Sequence, residues 1–256
     1  QRSNVHSLAL DQVVSYFKNT CMPLINQGRS LNPWGREQLE TYAERKGFFR
    51  AVLEKADFQI ADFQIQTPVH HADKGTLVEQ GALAQTPKAL NQDGQVDTKE
   101  LLFTHITNQG SYQIPSWNES EGTMRYFRLG GILQQLIHSV HVVAIDELEA
   151  SLHPDLVTFF LQMFLMNTQT SQLMVTTHAQ YIMEQDYIRN DMVWFCEKQS
   201  DGGSEYYSAQ DFKLHKNNNL ANFYYCGKLG AKPVLGSPIL TDRKSTRLNS
   251  SHVSES

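Results

Sequence analysis

The stretch His141-Val142-Val143-Ala144-Ile145-Asp146-Glu147 decides the fold. An apolar run that stops at two adjacent carboxylates reads as a buried strand, with its acids at the carboxyl end where open α/β sheets bind ligands. A strand running out into an ordinary acidic turn would look the same in isolation, so the flanks matter. Upstream, a helix is expected from about Ser120 to His138. Downstream, Leu156, Phe159, Phe160, Met163 and Phe164 mark one face of a second helix, which leads to the strand Leu173-Met174-Val175-Thr176. This alternation of strand and helix predicts a largely parallel α/β sheet.

The chemistry gathers at the strand ends. In P-loop ATPases an Asp in this position helps hold the Mg²⁺ shell, and a following Glu is placed to polarise the attacking water. Asp146 is therefore the expected metal ligand and Glu147 the expected general base. The next strand runs into Thr177-His178, where His178 is placed to reach the same crevice and hydrogen-bond a γ-phosphate. Asn118-Glu119-Ser120-Glu121-Gly122-Thr123 opens the upstream helix. Ser120 fits an N-cap, and Gly122 lets an anion approach the free backbone N–H groups, a phosphate clamp without a lysine.

Taken in order, Glu119 to Thr123, Val142 to Glu147, Ser151-Leu152-His153-Pro154 and Thr176-Thr177-His178 resemble the signature motif, Walker B strand, D-loop and H-loop of ABC-type ATPases. More narrowly they resemble the AAA-domain ATP-binding proteins related to SMC and RecF heads, a group that includes abortive-infection and other antiphage ATPases. Asp191 to Lys198, Glu205 to Ser208, Asp211 to Lys213 and the stretch before Tyr224-Tyr225-Cys226-Gly227 look like that family's C-terminal portion. The resemblance is specific from about Leu101 to Pro233 and weak before Ala51. It implies a head-to-tail composite site with ATP and Mg²⁺ as cofactors. Ser120, Gly122 and Thr123 would contact the γ-phosphate of ATP held by a second protomer, and Asp146 and Glu147 would serve the ATP of their own. His178 would sense the γ-phosphate, while Ser151 to Pro154 would communicate across the interface of a homodimer. DNA or a defence effector would be further partners.

One element is missing from this series. No Gly-x-x-x-x-Gly-Lys-Ser/Thr occurs in the chain; Gly227-Lys228-Leu229-Gly230 and Lys74-Gly75 lack the spacing that cradles a β-phosphate. The fold expected is an α/β P-loop NTPase core of ABC-like type without its N-terminal Walker A part, a fragment that binds ATP poorly alone. The chain opens at Gln1-Arg2-Ser3 without Met, consistent with a start cut from a longer protein.

Residues 1–66 read as a helical arm or lid. Leu10, Val13, Val14 and Phe17 give one amphipathic helix; Leu39, Tyr42, Ala43, Phe49, Val52 and Leu53 give a second, across a loop at Asn32 to Gly35. A tandem duplication follows, Ala56 to Ile60 and Ala61 to Ile65, whose alternation marks a helix end passing into a strand. Residues 67–100 read as a polar insertion, and 101–241 as the C-terminal part of the ATPase domain. That part begins with a hairpin, Leu101 to Ile106 and Tyr112 to Ile114, around Asn108-Gln109-Gly110. Residues 242–256 resemble a translated sequencing adapter and are expected to be foreign.

Composition bounds the remainder. The chain has 256 residues, 40% hydrophobic and 19% charged, as in a globular protein with a packed core. Net charge is −5, from 22 basic and 27 acidic residues, and −6 once the tail is set aside, which argues against coating nucleic acid by charge alone. Cys21, Cys196 and Cys226 form no CxxC pair and are expected to be reduced thiols in the cytoplasm. No apolar run has transmembrane length, and no membrane partner is expected. His70-His71 with Asp73 makes a poor metal site, because adjacent side chains diverge. Arg125 and Arg128 would meet phosphate, a partner carboxylate or solvent. Lys213, His215, Lys216 and Lys228 read as solvated surface, and Phe223, Tyr224 and Tyr225 as core. Two other functions remain: a non-catalytic ATPase-like interaction module, and a metal-dependent nuclease using Asp146, Glu147 and Glu149.

Overall fold

The computed structural model describes residues 8–25, 43–56, 58–66, 100–213 and 219–238. The expected loop at 32–35, residues Leu39 and Tyr42, the 67–99 insertion with His70, His71 and Asp73, and the 242–256 tail lie outside them. The chain divides into two compact units, Gln1–Tyr187 and Ile188–Ser256. The sequence reading draws no boundary there.

In the first unit, helix α1 (Leu8–Thr20) and helix α2 (Ala43–Lys55) precede strand β1 (Ile60–Gln66). Strands β2 (Glu100–Thr107) and β3 (Gly110–Pro115) follow, then helix α3 (Glu121–His138) and strand β4 (Val142–Ile145). Helix α4 (Pro154–Asn167) and strand β5 (Gln172–Val175) complete the regular elements. The expected hairpin, helix, strand, helix and strand from Leu101 onward are thus all present.

Strands β4 and β5 pair in parallel, Val142 opposite Gln172 and Ile145 opposite Val175. The other edge of β4 receives Cys21 to Ile25, also in parallel, through Met22 N–H to Val142 O (2.9 Å) and Ile25 N–H to Ala144 O (3.0 Å). Pro23 has no N–H to give, which keeps this pairing short and irregular. With partners on both edges, β4 buries Val143 and Ile145 fully. Beside this parallel part stands a separate antiparallel sheet, ordered β1-β2-β3. The sheet content is therefore mixed rather than largely parallel.

Helix α3 buries a wide face that includes Met124, Phe127, Ile132, Leu133 and Leu136, the apolar stripe that an amphipathic helix turns to the core. Phe127 lies at the centre of an aromatic cluster, with ring centroids 5.0 Å from Phe49 of α2 and 5.2 Å from both Phe63 of β1 and Phe103 of β2. Glycine at 130 lets α2 approach, since a Cβ there would sit 3.3 Å from Val52. The apolar stripe of α1 behaves differently: Leu10, Val13, Val14 and Phe17 are 44–59% exposed. The periodicity forms the helix without finding it a packing partner among the described residues.

The second unit holds an antiparallel pair, β6 (Trp194–Lys198) with β7 (Ser204–Ser208), and a short helix α5 (Leu220–Tyr225). Phe195 stacks on Tyr224 at 5.4 Å and lies 5.6 Å from Tyr207. Tyr224 and Phe223 are half-buried and Tyr225 is 40% exposed, so the three aromatics are not the core expected from the sequence.

Candidate functional site

The ladder of the parallel sheet delivers both acids to one place. Beyond Ile145, Asp146 N–H still bonds Ile25 O (2.7 Å) and Thr176 N–H bonds Ile145 O (3.0 Å). The Thr176 hydroxyl then bridges the two acids: it donates to Asp146 Oδ1 and accepts from Glu147 N–H (3.0 Å). The sequence marks Thr176 as a strand end and the start of Thr176-Thr177-His178 but gives its hydroxyl no role, because nothing local marks a hydroxyl whose partners lie thirty residues upstream.

At Glu147 the chain turns sharply, with φ of 49°, and Ser151 has φ of 58°. Two non-glycine residues in left-handed conformation bracket one turn, a cost that surrounding contacts must offset. Leu148 in that turn is fully buried, with its N–H on Thr176 O (3.1 Å). The carbonyl of Glu147 accepts from Ala150 N–H (3.0 Å) and from the guanidinium of Arg125 (2.5 Å), which also reaches Leu148 O (3.5 Å). Within the chain, Arg125 is therefore not a solvated surface residue but a half-buried brace of the turn after β4. Half-burial lowers its pKa while Glu121, Glu149 and Glu147 oppose that shift, so the guanidinium stays charged. Its bonds to the turn are charge-assisted.

Ser120 is the N-cap of α3: its Oγ accepts from Thr123 N–H (3.0 Å) and lies 2.7 Å from Thr123 Oγ1. Glu119 anchors the approach to this cap, its Oε1 lying 2.5 Å from Nε2 of His105 on β2. Gly122 has a reason for lacking a side chain that the sequence reading did not contain. A Cβ there would stand 2.7 Å from the backbone carbonyl oxygen of Ser151. The first turn of α3 and the turn that follows β4 therefore lie backbone against backbone. His153 caps α4, its Nδ1 accepting from Asp155 N–H (3.2 Å).

His178 is exposed just past β5. Its N–H donates to Glu149 Oε1 (2.7 Å), and the Thr177 hydroxyl donates to Glu149 Oε2 (2.6 Å). Desolvation pushes the Glu149 carboxyl up. The bonds from Thr177, the His178 amide and its own amide, with the nearby His178 ring, outweigh that and hold it below the usual carboxylate range. Both oxygens are thus committed, and no group of three or more His, Cys, Asp or Glu placed to hold a metal occurs among the described residues. A Mg²⁺ ion fits such a site, since it takes one or two carboxylates and draws its other oxygens from water and phosphate.

The structure thus gathers Asp146, Glu147, Ser151 and His178 with Ser120, Gly122 and Thr123 around one pair of strand ends and one helix N-terminus. Residues 23–184 match the family model described as "AAA domain, putative AbiEii toxin, Type IV TA system", more than half of the 256 residues. The chain belongs to this AAA-domain family. Its mixed α/β architecture with small sheets is consistent with the P-loop ATPase domain that the family represents. The AAA match takes in every candidate site residue and the Cys21–Ile25 pairing partner from residue 23 onward. It ends at 184, just short of the division at Tyr187, so the stretches from Asp191 onward lie beyond it. No curated protein matches the chain. No helix among the described residues is long and apolar enough to cross a membrane.

Proposed function

We propose that this AAA domain is the Walker B, signature and H-loop part of an ATPase that hydrolyses ATP at a composite site between two copies. Such a site also needs a Gly-rich Lys-Ser/Thr loop, a motif that residues 1–256 do not contain. The observation that carries the reading is the Thr176 hydroxyl, which ties the Asp146 carboxylate to the Glu147 amide at one strand end. Asp146 would then hold Mg²⁺, which would supply positive charge against the phosphates. Glu147, on a turn fixed by Arg125 and buried Leu148, takes the proton of the attacking water. His178 faces the terminal phosphate from the neighbouring strand end.

Ser120, Gly122 and Thr123 present the α3 N-terminus to ATP held by the second copy. The contact between Gly122 and Ser151 O links that surface to the D-loop turn. The family description names an abortive-infection toxin; we place this chain in that setting, an ATP-driven timer in the cytoplasm acting in phage defence. DNA maintenance is the alternative that the resemblance to SMC and RecF heads supports. The nuclease reading, which would use Asp146, Glu147 and Glu149, is less favoured because Glu149 accepts from Thr177 and His178.

Mixing two inactive variants of the protein expressed from its complete coding sequence tests the composite site. Ser120→Arg spoils the signature surface and Glu147→Gln spoils the base. A mixed pair keeps one site with both intact, so turnover returns on mixing. Mixtures as inactive as either variant alone would overturn the composite arrangement.

A further inference from the structure

We propose that Glu149 is a positioning residue for His178, holding the turn at the end of β5 so that the imidazole faces the nucleotide. The inference rests on the reading of His178 given above and adds to it the group that sets the histidine's direction. The β4–β5 backbone ladder ends with Thr176 N–H on Ile145 O and Leu148 N–H on Thr176 O. Past that point a side chain takes over. Glu149 Oε1 accepts from His178 N–H at 2.7 Å and Oε2 accepts from the Thr177 hydroxyl at 2.6 Å, while Thr177 Oγ1 accepts from Ala179 N–H at 3.0 Å. One carboxylate thus clamps two successive residues, Thr177 and His178, and the Thr177 hydroxyl in turn holds Ala179.

The clamp is itself held. Glu149 lies between Glu147 and Ser151, both of which have positive φ, and its own carbonyl accepts from Leu152 N–H at 3.0 Å. The carboxylate is therefore anchored in the turn that carries the base, and through it the base and the histidine share one rigid mount. Both donors require acceptors, and an ionised carboxylate supplies two with no donor of its own. Glutamine keeps one acceptor and sets an NH₂ against the other donor. Aspartate keeps both but is one methylene shorter.

Two measurements test this. In this chain, amide exchange of His178 is slow in the wild type and accelerates at least tenfold in Glu149→Ala and Glu149→Gln, with the remaining amides of β4 and β5 unchanged. In the protein from the complete coding sequence, Glu149→Ala lowers kcat about as far as His178→Ala with KM for ATP within about twofold. The double variant is no slower than either single, the non-additivity expected when one residue acts through another. Glu149→Gln, closer in shape, keeps the test open if the alanine variant does not fold. A slow His178→Ala beside a Glu149→Gln that turns over like wild type would overturn the positioning role alone. Equal turnover by His178→Ala and wild type would overturn the reading of His178, and the role of Glu149 with it.

Discussion

Replacing Gly122 with alanine puts a methyl group where the backbone of the D-loop turn already stands. The new Cβ would lie 2.7 Å from Ser151 O, whereas carbon-to-carbonyl contacts settle at roughly 3.3–3.6 Å, so the two segments must part by roughly 0.6 Å or more. Neither yields easily: the first turn of α3 is pinned by the Ser120 cap, and Ser151 is held at φ of 58°. Forced overpacking of this kind costs about 1–3 kcal/mol, offset in part by the roughly 0.5–1 kcal/mol that alanine gains over glycine inside a helix. A net loss of up to about 2.5 kcal/mol is expected. Gly131 in the same helix is the control, because a Cβ there meets only ring atoms of Phe49 at 3.5 and 3.6 Å, ordinary contact distances. Gly131→Ala should raise stability by up to about 0.5–1 kcal/mol. Urea unfolding followed by far-ultraviolet circular dichroism compares the two. A Gly122→Ala variant as stable as Gly131→Ala would refute the backbone contact.

Other perturbations follow from the same geometry. Arg125→Ala removes the charge-assisted bonds to the Glu147 and Leu148 carbonyls and should cost about 1.5–3 kcal/mol in urea unfolding. Arg125→Lys should recover only part of this, since an ammonium cannot fork across two carbonyls. The Glu149 carboxyl is held below its unfolded value of about 4.3, so it contributes stability that is present above that pH and lost as pH falls through the folded value. The stability difference between wild type and Glu149→Gln should thus be open at neutral pH and close on acidification below about pH 4; a gap constant through that range would count against the clamp. Phe127→Ala, at the centre of three phenylalanine rings, should cost about 3–5 kcal/mol by thermal or urea unfolding.

Legibility in the sequence varied with how local each determinant was. The β4 strand could be read because an apolar run ending in acids needs little context, and Ser120 because an N-cap is a short-range pattern. The pairing of Cys21 to Ile25 with β4 was invisible, since five residues interrupted by Pro23 carry no period. Arg125 was equally hidden: its acceptors are carbonyls, which every residue has, and only the fold brings them to the guanidinium. The duplicated Ala-Asp-Phe-Gln-Ile shows the limit most directly. Its first copy follows α2, with Ala56 in a turn, Phe58 5.3 Å from Tyr126 and only Ile60 in the strand, whereas the second lies wholly in β1 and sets Phe63 5.2 Å from Phe127. Identical local sequence took two conformations because tertiary packing, not propensity, decided. The α1 stripe marks the converse, a clear helical period that formed a helix without gaining a buried face.

The central claim is that Glu147 is the base of an ATP-hydrolysing site, and single-turnover ATP cleavage by the protein from the complete coding sequence tests it most directly. Glu147→Gln should bind ATP as tightly as wild type and cleave it about 10²–10⁴-fold more slowly, the range that a positioned general base supplies. Cleavage at the wild-type rate by that variant would contradict the account.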